Sequence, residues 1–404
     1  MSYSYVSHLS CSSCKEVYDA QERQQLCHCG SPLLVTYRLD DLQRQLTREA
    51  FEGRASNMWR YHELLPVQEE RCVISFAEGM TPLFAVSRIG NDMGITQLYV
   101  KDESALPSGT FKARGAAVGV SKARELGIRS FIIPTNGNAG AAWALYAARA
   151  GMKAHVVISG DAPDIAKREC AVSGADVYVV DGLINEAGQI AAAAAKQFNL
   201  YDVSTLKEPY RVEGKKTMGL EIAEQFQWGA PEVIVYPTGG GVGLLGIFKA
   251  MTELKALGWL EGNVPRLVAV QAAGCAPIAR AWTAGVTDVV PWEQAYTIAF
   301  GINVPQPRGA SLVLEALKET NGCAVTVTDE AIVNEQRQVA AMEGVFLCPE
   351  GAAAFAAARQ LRASGWIDHN ERVVVLNTGA GLKYPHTVPA QFAQLQRGER
   401  IRGV

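Results

Sequence analysis

The 404-residue chain contains no uninterrupted apolar run of about 18 residues, so nothing in it is long enough to cross a bilayer as a helix. Its start, MSYSYVSHLSCSSC, has no positively charged segment followed by an apolar stretch, which argues against a secretory leader. Neither sign of charge dominates. With 38 basic residues against 41 acidic ones the net charge is −3, and no basic stripe offers itself to nucleic acid or to a membrane surface. Cysteine is sparse as well: nine residues are too few for a disulfide scaffold and an odd number cannot pair fully, so thiols or metal ligands are expected. These absences lead to the expectation of a soluble, cytoplasmic protein without nucleic-acid or membrane partners.

What is present is an ordinary globular balance, 48% hydrophobic and 20% charged, in a chain long enough for two or three units. From about residue 97, short β-branched runs alternate with helical stretches. The predicted strands are 97–102, 130–135, 154–159, 176–180, 232–238, 266–272 and 372–378. Most are continuous apolar runs rather than alternating ones, as expected where helices cover both faces of a sheet. The fold class is therefore α/β, with two doubly wound, mostly parallel sheets. Residues 1–40 read as a separate cysteine-rich module and 41–75 as a helical connector. Residues 76–385 form the main region, with a smaller subdomain at about 115–215 inserted in it, and 386–404 are a tail.

In open α/β sheets ligands bind beyond the carboxyl ends of the strands, so the loops that follow the strands carry the information. TNGNAG (135–140), TGGGVG (238–243) and TGAGLKYP (378–385) each follow a predicted strand. Four glycines in TGGGVG, directly before a helix, let backbone N–H groups converge where the helix dipole adds positive potential, and a phosphate is the expected guest. GVGLLG (241–246) also fits a dinucleotide pattern, but the acid expected about 20 residues later is missing, since the next strand ends at Gln271. A nucleotide-hydrolase loop would need Gly-Lys-Ser/Thr, which neither glycine loop contains. A phosphate cradle without its own lysine, plus Lys112 in SGTFKARG (108–115), suggests pyridoxal phosphate, a cofactor that needs an amine, phosphate donors and partners for its ring.

SGTFKARG, TNGNAG, PTGGGVG and LNTGAGLKYP, in that order, resemble the lysine, asparagine, phosphate and ring-nitrogen loops of fold-type II pyridoxal phosphate enzymes, the tryptophan synthase β family. Within that group the chain is most similar to the threonine synthases, including EGMTPL (78–83) and EGKKTMGLEIAEQ (213–225). The resemblance implies that Lys112 links to the cofactor and shuttles protons, and that Asn138 bonds the cofactor's 3-oxygen. It further implies that Gly239, Gly240, Gly241, Val242 and Gly243 hold the phosphate, and that Thr378 faces the ring nitrogen. Thr135, Asn136 and Ala139 would bind a substrate carboxylate. The implied activity is that of a lyase converting O-phosphohomoserine and water to threonine and phosphate, in a homodimer acting on a small amino acid. Ala113 stands where threonine synthases commonly have aspartate, and Asn136 where Ser or Thr is usual. Both keep open a threonine or serine dehydratase or a β-replacement enzyme. A nucleotide-binding dehydrogenase and a non-catalytic binding protein are the remaining alternatives.

A phosphorylated substrate would need a second cationic pocket, for which Arg114, Lys153, Arg168, Lys216 and Lys383 are available. Glu350, in CPEGAAA, is read as an acid at a helix start, with a place in the pocket as the alternative. Cys11, Cys14, Cys27 and Cys29 are candidate ligands of a zinc ribbon, with a metal-free thiol module as the alternative because one intervening residue in the second pair is tighter than usual.

Overall fold

The computed structural model of the chain describes residues 2–399 and 401. Three strands, β1 (Val6–Cys11), β2 (Val17–Tyr18) and β3 (Leu33–Tyr37), form an antiparallel sheet in the order β2-β1-β3 around the cysteine-rich segment. Ten more strands follow: β4 (Leu83–Ala85), β5 (Gln97–Asp102), β6 (Ser130–Thr135), β7 (Lys153–Ser159), β8 (Asp176–Val180), β9 (Tyr201–Asp202), β10 (Val233–Pro237), β11 (Arg266–Ala272), β12 (Cys323–Val327) and β13 (Arg372–Asn377). A six-stranded sheet takes the order β12-β11-β10-β13-β5-β4, parallel except at its β4 edge. A four-stranded sheet, parallel throughout, takes the order β8-β7-β6-β9. The chain thus leaves the larger sheet after β5 and returns to it at β10.

The central strands are buried because of what they are made of. VIVYP in β10 is buried at every position, and so is VVVLN in β13 after its first residue, as parallel strands covered on both faces require. The helix Pro349–Ala363 carries a buried, alanine-rich stretch, and its small side chains let it lie directly against β10 and β13. The predicted α/β class and its strands are present, most with the predicted ends. β12 and β4 went unpredicted, since CAVTV alternates buried and open positions at an edge and LFA is only three residues long. The stretch after residue 40 is less helical than expected. The helix Leu39–Gln45 gives way to short 3-10 turns at Arg48–Phe51, Met58–Leu64 and Glu70–Cys72.

Behind the sheet ends lies a dry cluster of charge. Arg114, wholly buried, donates to Glu103 at 2.5 and 2.8 Å and to Glu221 at 2.5 and 2.7 Å, while Lys101 donates to Glu221 at 2.7 Å. These groups join the end of β5 to the helices Lys112–Glu125 and Arg211–Gln225. The helices meet closely at Gly214, where a Cβ would come within 2.1 Å of the Arg114 carbonyl oxygen. Burial pushes the Glu221 carboxyl up, but Arg114 and Lys101 overcome it and bring it down to about 2.

Removing one member of such a cluster strands the others. Glu221→Ala is predicted to cost about 3–5 kcal/mol of stability, measured by denaturant unfolding, because Arg114 and Lys101 lose their shared carboxylate. A loss under about 1 kcal/mol would show that the cations find other partners. Since the folded-state pKa of Glu221 lies below its unfolded value, its contribution is complete above about pH 4.5 and is lost as pH falls toward 2.

Candidate active site

Four loops at the carboxyl ends of the strands open onto one cleft of about 780 Å³. Lys112 is the first residue of the helix Lys112–Glu125, behind a turn in which Ser108 (φ 68°) and Gly109 (φ 61°) are left-handed. This turn is stitched to the loop after β13: Phe111 N–H donates to the Thr378 carbonyl at 3.0 Å, and Ala380 N–H to that of Gly109 at 2.9 Å. The stitching sets Lys112 beside Thr378, Gly379 and Tyr384 in the cleft wall.

Thr135 ends β6 and organises the next loop from within. Its hydroxyl accepts from the N–H groups of Gly137 (3.0 Å) and Gly140 (3.1 Å), and Gly137 takes φ 145°, open only to glycine. Asn138 then starts the helix Asn138–Ala150, and its amide donates to the Tyr384 hydroxyl at 2.5 Å. Asn136 donates to the Phe300 carbonyl at 3.3 Å.

After β10, Gly241 (φ 88°) turns the chain into the helix Val242–Ala256, so Gly239, Gly240, Gly241, Val242 and Gly243 present backbone at a helix N-terminus. The cradle has no room for side chains: a Cβ on Gly239 would lie 2.9 Å from the Gly301 carbonyl oxygen, and one on Gly243 only 1.8 Å from the Tyr236 hydroxyl. That hydroxyl is buried and has no hydrogen-bond partner among the described residues. A bare glycine cradle with a waiting donor fits a phosphate, and an amine across the cleft fits the aldehyde of the expected cofactor.

Lys112 opens onto the cleft yet is surrounded by protein. Burial lowers its amine to about 8, the charge of Arg211 adds to the effect, and Glu350 opposes it. At pH 7 roughly one such amine in ten is uncharged, against fewer than one in a thousand for an ordinary lysine. Thr378 is buried, with the Cys348 thiol 3.7 Å from its hydroxyl.

All the sequence-predicted residues of the main region, Lys112, Thr135, Asn136, Asn138, Ala139, Gly239 to Gly243 and Thr378, line this cleft. None of the five cations that the sequence makes available for a second anion pocket does. Arg114 and Lys216 are spent in buried ion pairs, Lys383 pairs with Glu169, Lys153 pairs with Asp176, and Arg168 is exposed. Apart from Lys112 and the buried amine of Lys215, the basic side chains that line the cleft are Lys207, Arg211 and Arg308. Arg211 is buried and donates to Thr205 at 3.1 Å; its only sequence signal was its place two residues before EGKKTMGLEIAEQ. Glu350 takes both of its readings, being in the first turn of the helix Pro349–Ala363 and also in the cleft wall, where it accepts from the Gly301 N–H.

The sulfurs of Cys11, Cys14, Cys27 and Cys29 lie within 4.8 Å of one another. Cys11 and Cys29 are 3.5 Å apart, Cys14 and Cys27 3.4 Å. The short second pair is accommodated by a tight turn in which Gly30 (φ 85°) donates to the Cys27 carbonyl at 2.8 Å. A tetrahedron of zinc–sulfur bonds of about 2.3 Å has sulfur edges of about 3.8 Å, close to what the cluster shows.

Residues 74–379 match the family described as pyridoxal-phosphate dependent enzyme. Over 376 residues the chain is 35% identical to the threonine synthase of Methanocaldococcus jannaschii, covering 93% of this chain and 92% of that one. It is also 35% identical over 383 residues to the threonine synthase of Methanosarcina acetivorans, covering 94% and 93%. Among solved structures, diaminopropionate ammonia lyase from Escherichia coli superposes with a TM-score of 0.67 at 17% identity, over 78% of this chain and 89% of that one. The processed form of threonine deaminase isoform 2 from Solanum lycopersicum gives 0.64 at 23% identity, over 74% and 79%. These two likenesses establish the shared fold.

The cradle makes a prediction of its own. Gly239→Ala should force its Cβ against the Gly301 carbonyl and weaken the hold of the full-length protein on added pyridoxal phosphate by about tenfold or more, read by absorbance titration. Unchanged affinity would place the phosphate elsewhere.

Proposed function

Because the chain belongs to the pyridoxal-phosphate dependent enzymes, and among them to the threonine synthase family, we propose that it converts O-phosphohomoserine and water to threonine and phosphate. The observation that carries this reading is one cleft holding a depressed lysine amine, a glycine cradle and a separate set of cations. The same reading takes residues 115–215, which contain the whole four-stranded sheet, as an inserted subdomain, and the protein as a cytoplasmic homodimer.

When bound, pyridoxal phosphate supplies an electron sink for carbanions beside the substrate's nitrogen. Lys112 would anchor it and, with an amine partly uncharged at neutral pH, take and return protons at its Nζ. The N–H groups from Gly239 to Gly243 and the Tyr236 hydroxyl would hold the cofactor's phosphate, and the Asn138 amide its 3-oxygen. Thr378 would meet the ring nitrogen with a hydroxyl rather than a carboxylate, which leaves that nitrogen without a fixed charge partner and favours elimination over racemisation. Thr135, Asn136 and Ala139, at a helix N-terminus, would orient the substrate carboxylate. Lys207 and Arg211, beside Ser204 and Thr205, would take the substrate's phosphate and its growing charge as it leaves.

The dehydratase reading rests on Ala113 and Asn136. Ala113 is wholly buried and is not part of the cleft wall, so its difference from aspartate changes packing behind the lysine rather than contact with substrate. Asn136 does face the cleft.

Borohydride should fix the cofactor on Lys112, and Arg211→Met should lower kcat/KM for phosphohomoserine by about 100-fold while the protein still binds cofactor. Release of pyruvate or 2-oxobutanoate from serine or threonine, with phosphohomoserine ignored, would refute the synthase reading. We further propose that the four cysteines hold one zinc ion, supported by their sulfur spacing. Metal analysis should find about one equivalent per chain, and a chelator should raise amide exchange in residues 1–40 while the main sheets stay protected. Four titratable thiols in metal-free protein would end that claim.

A further inference from the structure

Lys215 is a buried amine that the reaction above does not use. Its Nζ donates to the carbonyl oxygens of Phe111 (2.6 Å) and Lys112 (3.0 Å), and it lies against the Phe111 ring, 4.6 Å from the centroid, as the Lys112 amine does at 4.4 Å. The space is built for it. A Cβ on Gly115 would come 2.9 Å from this Nζ, and one on Gly246 would come 2.6 Å from the Lys215 Cβ. Among the described residues no carboxylate lies within ion-pair distance of it, although the buried cations Lys101, Arg114 and Lys216 each have one.

We propose that Lys215 is a positioning residue that works as an uncharged amine, fixing the backbone of Phe111 and Lys112 without adding a second positive charge beside the reactive lysine. This rests on the assignment of Lys112 as the cofactor's lysine. An ammonium carries three N–H donors and would here face two carbonyls and the Phe111 ring with no counter-ion, whereas a neutral amine has two N–H donors, which the two carbonyls take up. The charged groups around it are Lys112 and Arg114 on one helix, Arg211 on its own helix and Glu103 beyond β5. Glu103 is already committed to Arg114, so a charge on Lys215 would meet mainly other cations. Burial together with Lys112 and Arg211 accordingly lowers its amine well below the usual lysine value.

The test uses two uncharged replacements in the full chain. Lys215→Gln keeps two N–H donors on an uncharged side chain, and Lys215→Met removes them. For each, cofactor-free protein is mixed with pyridoxal phosphate, and the rate at which visible absorbance returns is followed against pH. Borohydride trapping then identifies the lysine that carries the cofactor. The expected result is that both variants keep the pH midpoint of the unaltered protein, near 8. K215Q should also keep its rate, while K215M recombines about tenfold more slowly. A midpoint raised by about one unit or more in either variant would show that Lys215 carries charge and would overturn the proposal. So would a K215M rate equal to that of the unaltered chain. If K215Q does not fold, K215M still decides the midpoint. Trapping on a lysine other than 112 in the unaltered protein would instead refute the assignment of Lys112 itself.

Discussion

Arg114 is wholly enclosed in protein two residues beyond Lys112, and its charge is tolerable only because Glu103 and Glu221 face it. Much of the site's geometry depends on that pairing. Glu103 follows β5 of the larger sheet, Glu221 belongs to the helix that leads back to that sheet, and Arg114 lies in the helix that leads away from it. A buried ion cluster contributes little net stability compared with apolar packing, but it penalises any arrangement that separates its members. The start of the Lys112 helix is therefore held in register with the sheet.

Backbone bonds extend that register to the loop of Thr378, and so to Tyr384 and Asn138. The cleft thus combines a lysine and a threonine fixed to the larger sheet with an asparagine loop carried by the smaller one. Lys112 acquires its lowered amine from the same circumstances. It sits where protein closes around it, with Arg211 near and no paired carboxylate among the described residues, whereas Lys101, eleven residues earlier, shares Glu221 with Arg114.

The loops were legible in the sequence because their chemistry is local. Glycines before a helix, an asparagine after a strand and a lysine behind a turn each state their geometry within six or eight residues, and the strands that place them are apolar runs with abrupt ends. The ion pairs were not legible. Arg114 looks as available as Arg211 when only neighbours in sequence are considered, and although Glu213 precedes Lys216 by one turn, Glu103, Glu221 and Glu253 are contributed by other elements. Whether a cation faces a cleft or a carboxylate is decided by tertiary packing. The edge strands β4 and β12 were missed for a related reason: half-exposed short strands lack the apolar continuity that marked the rest.

The cysteine module touches the site by a route that sequence order conceals. Its two cysteine pairs bracket twelve residues, and this segment bonds to residues that adjoin the wall of the cleft. Arg23 donates to the Leu200 carbonyl at 2.8 Å, Gln25 to that of Asp202 at 2.7 Å, and the Tyr210 hydroxyl to the Ala20 carbonyl at 3.0 Å. Asp202 in turn pairs with Lys207 at 2.6 Å, and Tyr210 directly precedes Arg211. Both ends of the docking segment lie where the four sulfurs meet, and the zinc ion proposed for them would tie those ends together. A segment closed at both ends loses less conformational entropy when it docks than one free to swing, so order at the sulfurs favours order in the stretch that carries Lys207 and Arg211. The module's bearing on the chemistry is thus mechanical: it braces from outside the wall that presents two of the cleft's cations.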